Sequence, residues 1–282
     1  MASMDDFLLR TAAAPLAVAL VAAGLLRLVA GRPQGEAMAG AAICLGFLAG
    51  YWLVLGPPSA WPPASAQKVF FIAAAGGIFG LALDLSPESR RLSRPAAVAA
   101  PAAALAWLGW PRLLIPDRAD AATLLAVAAA GVAVLGLLHA RSQEPAECAV
   151  KLLIASAALA ALALLGASAS TAQLCGVLAA ATGGFALWLW PKPRLRFAAS
   201  ALFGGGLVFV ALAGSAAVFT NAAKPALALL LPVFFAERAL GRYGTGLRKP
   251  NPALKTVLVA AIALVPAAAA VGLAYLLGGS GY

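Results

Sequence analysis

The 282-residue chain is 63% hydrophobic and only 11% charged, with a net charge of +10 and a mean hydropathy of +0.94. A soluble domain carries about 45–50% apolar and about 25% charged residues, so this composition excludes a water-soluble fold, and its apolar content excludes a disordered chain. A nucleic-acid partner is not expected either, because the basic excess has a prior use in membrane topology. What remains is an all-α, polytopic integral membrane protein.

A helix needs about 20 apolar residues to cross a bilayer. Reading from one charged or Pro-rich break to the next gives ten transmembrane spans: 8–27, 37–56, 69–85, 95–115, 121–140, 148–167, 171–190, 197–219, 222–237 and 253–278. The first is preceded by Asp5 and Asp6 and followed by Arg27 and Arg32. That order reverses a signal peptide, so the span is expected to stay in the mature protein. The third and ninth are short, and Pro101 and Pro111 interrupt the fourth. A nine-span reading that demotes one of these is the alternative. The long runs of Ala, Leu and Gly suit helices packed through small residues rather than the alternating strands of a barrel.

With the N-terminus outside, Arg10, Lys68, Arg112, Arg118 and Lys224 fall outside and the other fifteen of the 20 bases fall inside. The positive-inside rule asks for this bias. It predicts a bacterial inner-membrane protein with both termini outside, and some attraction to anionic membrane lipid. Trp52, Trp61, Trp107 and Trp110 fall at outer span ends and Trp188 and Trp190 at an inner end, where interfacial anchoring places tryptophan. Cys44, Cys148 and Cys175 are widely spaced and read as small buried residues.

Ten spans divide into halves at 1–146 and 147–282, and an odd number per half inverts the second relative to the first. Several residues recur in order. Gly40 and Trp52 in span two match Gly176 and Trp188 in span seven, each pair twelve apart. Gly76-Gly77 in span three matches Gly204-Gly205 in span eight. Arg94-Pro95 and Pro101 in span four match Lys224-Pro225 and Pro232 in span nine. Inverted repeats are characteristic of secondary transporters, whose sites lie near mid-membrane where helices are interrupted. Pro95 and Pro225 read as first-turn prolines, which cost little. Pro101 and Pro232 lie two turns further in, and either kink their helices or mark a functional crossover at mid-membrane. Gly76, Gly77, Gly204 and Gly205 either let helices pack closely or thin the wall of a cavity. These six residues are the candidate substrate-binding or hinge positions.

No HExxH, GxSxG, P-loop or Cys/His cluster occurs, so neither an enzyme, a metal site nor a cofactor is expected. His139 sits at the inner end of span five and reads as an interfacial residue. Asp84 at the end of span three reads as a cap. Glu144 and Glu147 read as a solvated face. No charge is expected mid-span, which argues against a carboxylate-driven antiporter.

Gln173-Leu174-Cys175-Gly176 followed by Gly183 resembles the terminal helix of the drug/metabolite transporter superfamily, which also has ten spans in two inverted halves. Here the stretch falls in span seven and the N-terminus is outside, so no residue role carries over. The layout is also similar to auxin-efflux-type carriers, with outside termini and crossing fourth and ninth helices. The expected function is a permease for a small neutral or weakly polar solute; the alternative is a non-transporting scaffold, assembly or lipid-interacting protein.

Overall fold

The computed structural model describes residues 4–59, 61, 64–86, 89–110, 112, 118–243 and 251–278. Pro111 lies outside them. All secondary structure among the described residues is helical. Eight helices there are long and apolar enough to cross a membrane: α1 (Asp5–Ala30), α2 (Gln34–Leu55), α3 (Ser65–Leu85), α5 (Ala119–Ala140), α6 (Pro145–Leu165), α7 (Ala169–Leu189), α8 (Ala199–Phe219) and α10 (Pro252–Gly278). Each covers one of the expected spans.

The fourth and ninth expected spans are helical too, but fall outside that set. α4 (Ser89–Leu108) begins six residues earlier than expected, so Arg91 and Arg94 are helical and Pro95 lies inside the helix rather than in its first turn. The segment 224–243, termed α9, is discontinuous. An α-turn at Lys224–Ala228 gives way to a 3₁₀ stretch at Leu231–Phe235 and then to the helix Ala236–Tyr243.

Charge and small-residue content sort the helices radially. α8 carries no charged side chain, and 83% of its apolar window is buried, against 17% for α1 and 28% for α10. It therefore forms the core, packed on α3, α4, α5 and α7. The α6–α7 hairpin lies beside it, with α1 and α2 against α7 and α10 against α6. α4 pairs with α5, and the pieces of α9 lie on α10 and α5. Leu28 and Val29 on α1, and Tyr275 and Leu276 on α10, are largely exposed, as suits side chains meeting lipid. Between helices in lipid, close van der Waals contact takes over the part that hydrophobic burial plays in water. The core is accordingly rich in Ala, with all three cysteines buried and free.

Trp188 differs from the other tryptophans in its surroundings. It is only partly exposed, and its indole Nε1 donates to the Leu20 carbonyl at 2.9 Å. Its ring lies where a Cβ on Gly24 would come within 2.9 Å. It ties α7 to α1, whereas Trp52, Trp61, Trp107, Trp110 and Trp190 are exposed.

Candidate functional site

The glycine pairs matched in the sequence meet. Gly76 and Gly77 on α3 face Gly204 on α8, with Cys44 of α2 wedged beside them. A Cβ on Gly76 would lie 2.6 Å from the Phe203 carbonyl oxygen, and one on Gly77 2.5 Å from Cys44 Sγ. One on Gly204 would lie 2.9 Å from Cys44 Cβ, and one on Gly205 3.0 Å from Ile43 and 3.1 Å from Leu152. The Cys44 thiol donates to the Ala73 carbonyl at 3.2 Å. α8 carries a π-helical turn here, Leu202–Gly206, an irregularity that often accompanies functional positions. None of the four glycines lines the cavities described below. The crossing is a close-packed contact of backbones.

The matched prolines behave differently from each other. Pro101 is buried inside a continuous α4, and α5 packs on it: a Cβ on Gly131 would lie 3.1 Å from Pro101 Cβ. The interruption expected there is absent. Pro232 is exposed and lies in the first turn of the 3₁₀ stretch, where α9 does break. α4 and the 3₁₀ stretch each pack on α5, so the expected meeting of two bends is replaced by one break. The flanking residues explain the difference. Pro101 stands among Ala97, Ala99, Ala100 and Ala102 to Ala104, the strongest helix formers and too small to resist a gentle bend. Pro232 is followed by Val233-Phe234-Phe235, a β-branched and two aromatic residues that lose rotamer freedom in a helix. Phe234 is buried against Phe209 of α8, ring centroids 5.4 Å apart, which draws the 3₁₀ stretch onto α8.

A groove of ≈270 Å³ runs beside this break, between α5, α8 and α9. Val127, Gly131, Phe209, Ala213, Leu227, Leu231 and Phe234 make its walls apolar. At one end Lys224 Nζ donates to Thr123 Oγ1 at 3.1 Å. The groove extends from that polar rim to about the middle of α5 and α8.

At the other end of α9 the structure corrects the reading of the charges. Glu147 is not solvated: it is 2% exposed, and Lys151, one turn further along α6, is fully buried. Lys151 Nζ lies 2.6 Å from Glu237 Oε2 on α9. Lys255 Nζ of α10 bridges Glu147 Oε1 at 2.6 Å and Glu144 Oε1 at 3.0 Å. Arg141 Nε approaches Glu237 Oε1 at 3.7 Å, too far for a hydrogen bond. Three bases and three acids thus join α6, α9 and α10. Glu147 Oε2 and Glu237 Oε1 are buried without a hydrogen-bond partner among the described residues. The sequence signal was there: Glu147 and Lys151, four apart, share one face of an otherwise apolar helix. Removing one member of such a buried pair costs about 3–5 kcal/mol.

Asp84 does act as a cap, but of another helix. Its two carboxylate oxygens accept from the backbone N–H groups of Ala199 and Ser200 at 2.9 Å each, closing the first turn of α8. A carboxylate also suits the positive end of the helix dipole. Ser200 Oγ in turn donates to the Ala37 carbonyl at 3.1 Å, tying α2 to the same turn. His139 is half-buried at the end of α5 and lines a polar cavity with Asp84. Among the described residues no three His, Cys, Asp or Glu side chains converge as metal ligands would.

No known protein family matches the chain, and no curated protein is significantly similar to it.

Proposed function

We propose that the chain is a ten-span inner-membrane permease, α4 and α9 completing the spans, with its solute site in the groove between α5, α8 and the broken α9. The observation that carries this reading is the coincidence of groove and break. A discontinuous helix beside a cavity is the arrangement by which transporters expose backbone groups to a solute at membrane depth. α5 belongs to the first half, 1–146, and α8 and α9 to the second, so the groove lies between the proposed halves. The inverted relation of the halves is supported by the packing of α2 on α7 and of α3 on α8, each helix against its repeat equivalent. The walls favour a solute that is mostly apolar, and Lys224 with Thr123 favours one polar or anionic end. Both termini face outside in this reading, so Lys224 marks the outer rim and the α6–α9–α10 ion cluster the inner end of α9.

Thermal unfolding of the purified protein with decanoate and decanol as probes tests the site. A ligand that binds only the folded state stabilises it, by about 1.4 kcal/mol at ten times its Kd. Both probes should raise the midpoint of the wild type and leave A213F, whose added ring fills the groove, unchanged. Lys224→Ala should abolish the preference for the carboxylate. Equal shifts in wild type and A213F would overturn the assignment.

The second reading, a non-transporting membrane scaffold or lipid-interacting protein, is favoured by the close-packed α3–α8 crossing, whose glycines line none of the cavities described.

A further inference from the structure

The end of the molecule that holds Asp84 and His139 carries two adjoining cavities, one of ≈230 Å³ and a wider one of ≈590 Å³, which share His139, Ser142 and Gln143. The deeper chamber adds Ser93 of α4 and Arg196 of the segment before α8; the outer one adds Arg91 and Arg94 of α4. Three guanidinium groups on two separate elements therefore line two adjoining cavities. Among the described residues no carboxylate oxygen lies within salt-bridge distance of any of them, the ion pairs there being made by other bases. Glu36, whose carbonyl accepts from the Arg196 backbone N–H at 2.9 Å, has its carboxylate paired with Arg32 at 3.1 Å. Asp84 is the acid that faces the chamber, and both its oxygens are held by the Ala199 and Ser200 N–H groups. Asp84 also offsets part of the Arg196 charge electrostatically, which leaves Arg91 and Arg94 as the guanidinium groups with no acid beside them among the described residues.

The chamber's uncharged lining combines hydrogen-bonding side chains with an apolar wall that includes Phe197 and Leu202. Ser93 is 4% exposed, and Ser142 and Gln143 stand at the turn between α5 and α6 with His139 one helical turn before them. Guanidinium groups match phosphate oxygens in charge and in planar two-point geometry, and hydroxyl, amide and imidazole N–H groups supply the neutral donors. A ≈230 Å³ chamber has space for many times one water, so a phosphate with a small alcohol fits. We infer that this vestibule is a binding site for a phosphate-bearing anion, held by Arg94 and Arg196 and seated on His139, Ser93, Ser142 and Gln143.

The site is distinct from the groove at α9, and it differs from the general attraction of basic loops to an anionic leaflet, which depends on net charge rather than position. The same chemistry is offered by an anionic lipid headgroup at the membrane surface or by a free phosphate ester. The full-length protein in nanodiscs separates these. In phosphatidylcholine discs doped with phosphatidylglycerol, native mass spectrometry reads retained phosphatidylglycerol. In pure phosphatidylcholine discs, equilibrium titration reads glycerol phosphate. Binding in the first alone names a lipid headgroup and binding in the second a soluble ligand, and either supports the site. In whichever disc binds, R94A/R196A should weaken affinity at least tenfold. K192A, which removes one exposed charge from the neighbouring loop, should leave it within twofold, as should A213F in the groove. If R94A/R196A does not fold, S142A/Q143A is read instead and should weaken affinity about threefold. Absence of binding in both discs overturns the inference. So does wild-type affinity in the folded vestibule variant, or an equal loss in K192A.

Discussion

The α3–α8 crossing and the α9 break were both suggested by residues that recur between the halves, and they came out opposite in kind. At the crossing, Gly77 and Gly204 come together beside Cys44, Gly76 lies against the Phe203 carbonyl, and Gly205 turns to Ile43 and Leu152. At the proline pair, Pro101 sits in an unbroken buried helix while Pro232 sits in a break beside a groove. At this crossing the glycines of both helices are closely approached, because a contact between two backbones needs both to be bare. A recurring proline only removes one donor, and the surrounding side chains decide whether the helix bends or parts. The molecule thus joins a tight centre to a discontinuous helix at its flank.

The ninth helix is anchored beyond its break by Glu237, and removing that anchor is the largest perturbation available. K151A or E237A alone strands the partner's charge in the interior and should lower unfolding stability by about 3–5 kcal/mol. The double variant K151M/E237M should recover most of the loss, because apolar replacements of similar volume leave no charge stranded. Reversible unfolding titrations in mixed micelles measure both. Single losses below about 1 kcal/mol would mean that the pair is solvated and that α9 is free at both ends.

Next in size is the crossing itself. G76A places a methyl group 2.6 Å from the Phe203 carbonyl oxygen, and overpacking of this kind costs about 1–3 kcal/mol. G176A on α7, where nothing lies within 4 Å of the added carbon, should change stability by less than about 0.5 kcal/mol. Equal effects in the same titration would show that the crossing is loose. The contrast also limits the repeat: Gly40, matched with Gly176, stands 2.7 Å from α8 by the same measure. The two matched glycines therefore do not share their surroundings.

The smallest expected effects are at the prolines. P232A restores a backbone donor opposite the Ala228 carbonyl and should stabilise the protein by about 1 kcal/mol or less while straightening α9 and narrowing the groove. P101A should leave the groove unaltered, since α4 is already continuous. Decanoate stabilisation, compared between the two variants, distinguishes them. An equal response in both would remove any special role from the break.

Much of this plan was legible in the chain. Long apolar runs bounded by Arg and Pro located the helices, because length and hydropathy are local properties. The glycines announced a close approach, although not what would approach them. What escaped depends on tertiary placement. Lys151 and Glu147 looked like part of a basic and acidic loop cluster, and only the arrival of α9 and α10 buries them with Glu237 and Lys255. Asp84 was read as a cap, but the helix it caps begins at Ala199, more than a hundred residues away. Arg91 and Arg94 explained the topology so well that the cavity they line, adjoining the one lined by Arg196, was invisible in one dimension.

A single cysteine at Ala213 distinguishes a groove that serves passage at the broken ninth helix from a mere cleft. Native Cys44, Cys148 and Cys175 are all buried, so labelling of the wild type by a membrane-impermeant maleimide should be low. A permease that exposes its site alternately to the two sides predicts labelling of A213C in both right-side-out and inside-out vesicles, and loss of labelling from one side when P232A is added. Labelling from one side only, unchanged by P232A, would contradict the account and leave the chain a close-packed membrane scaffold.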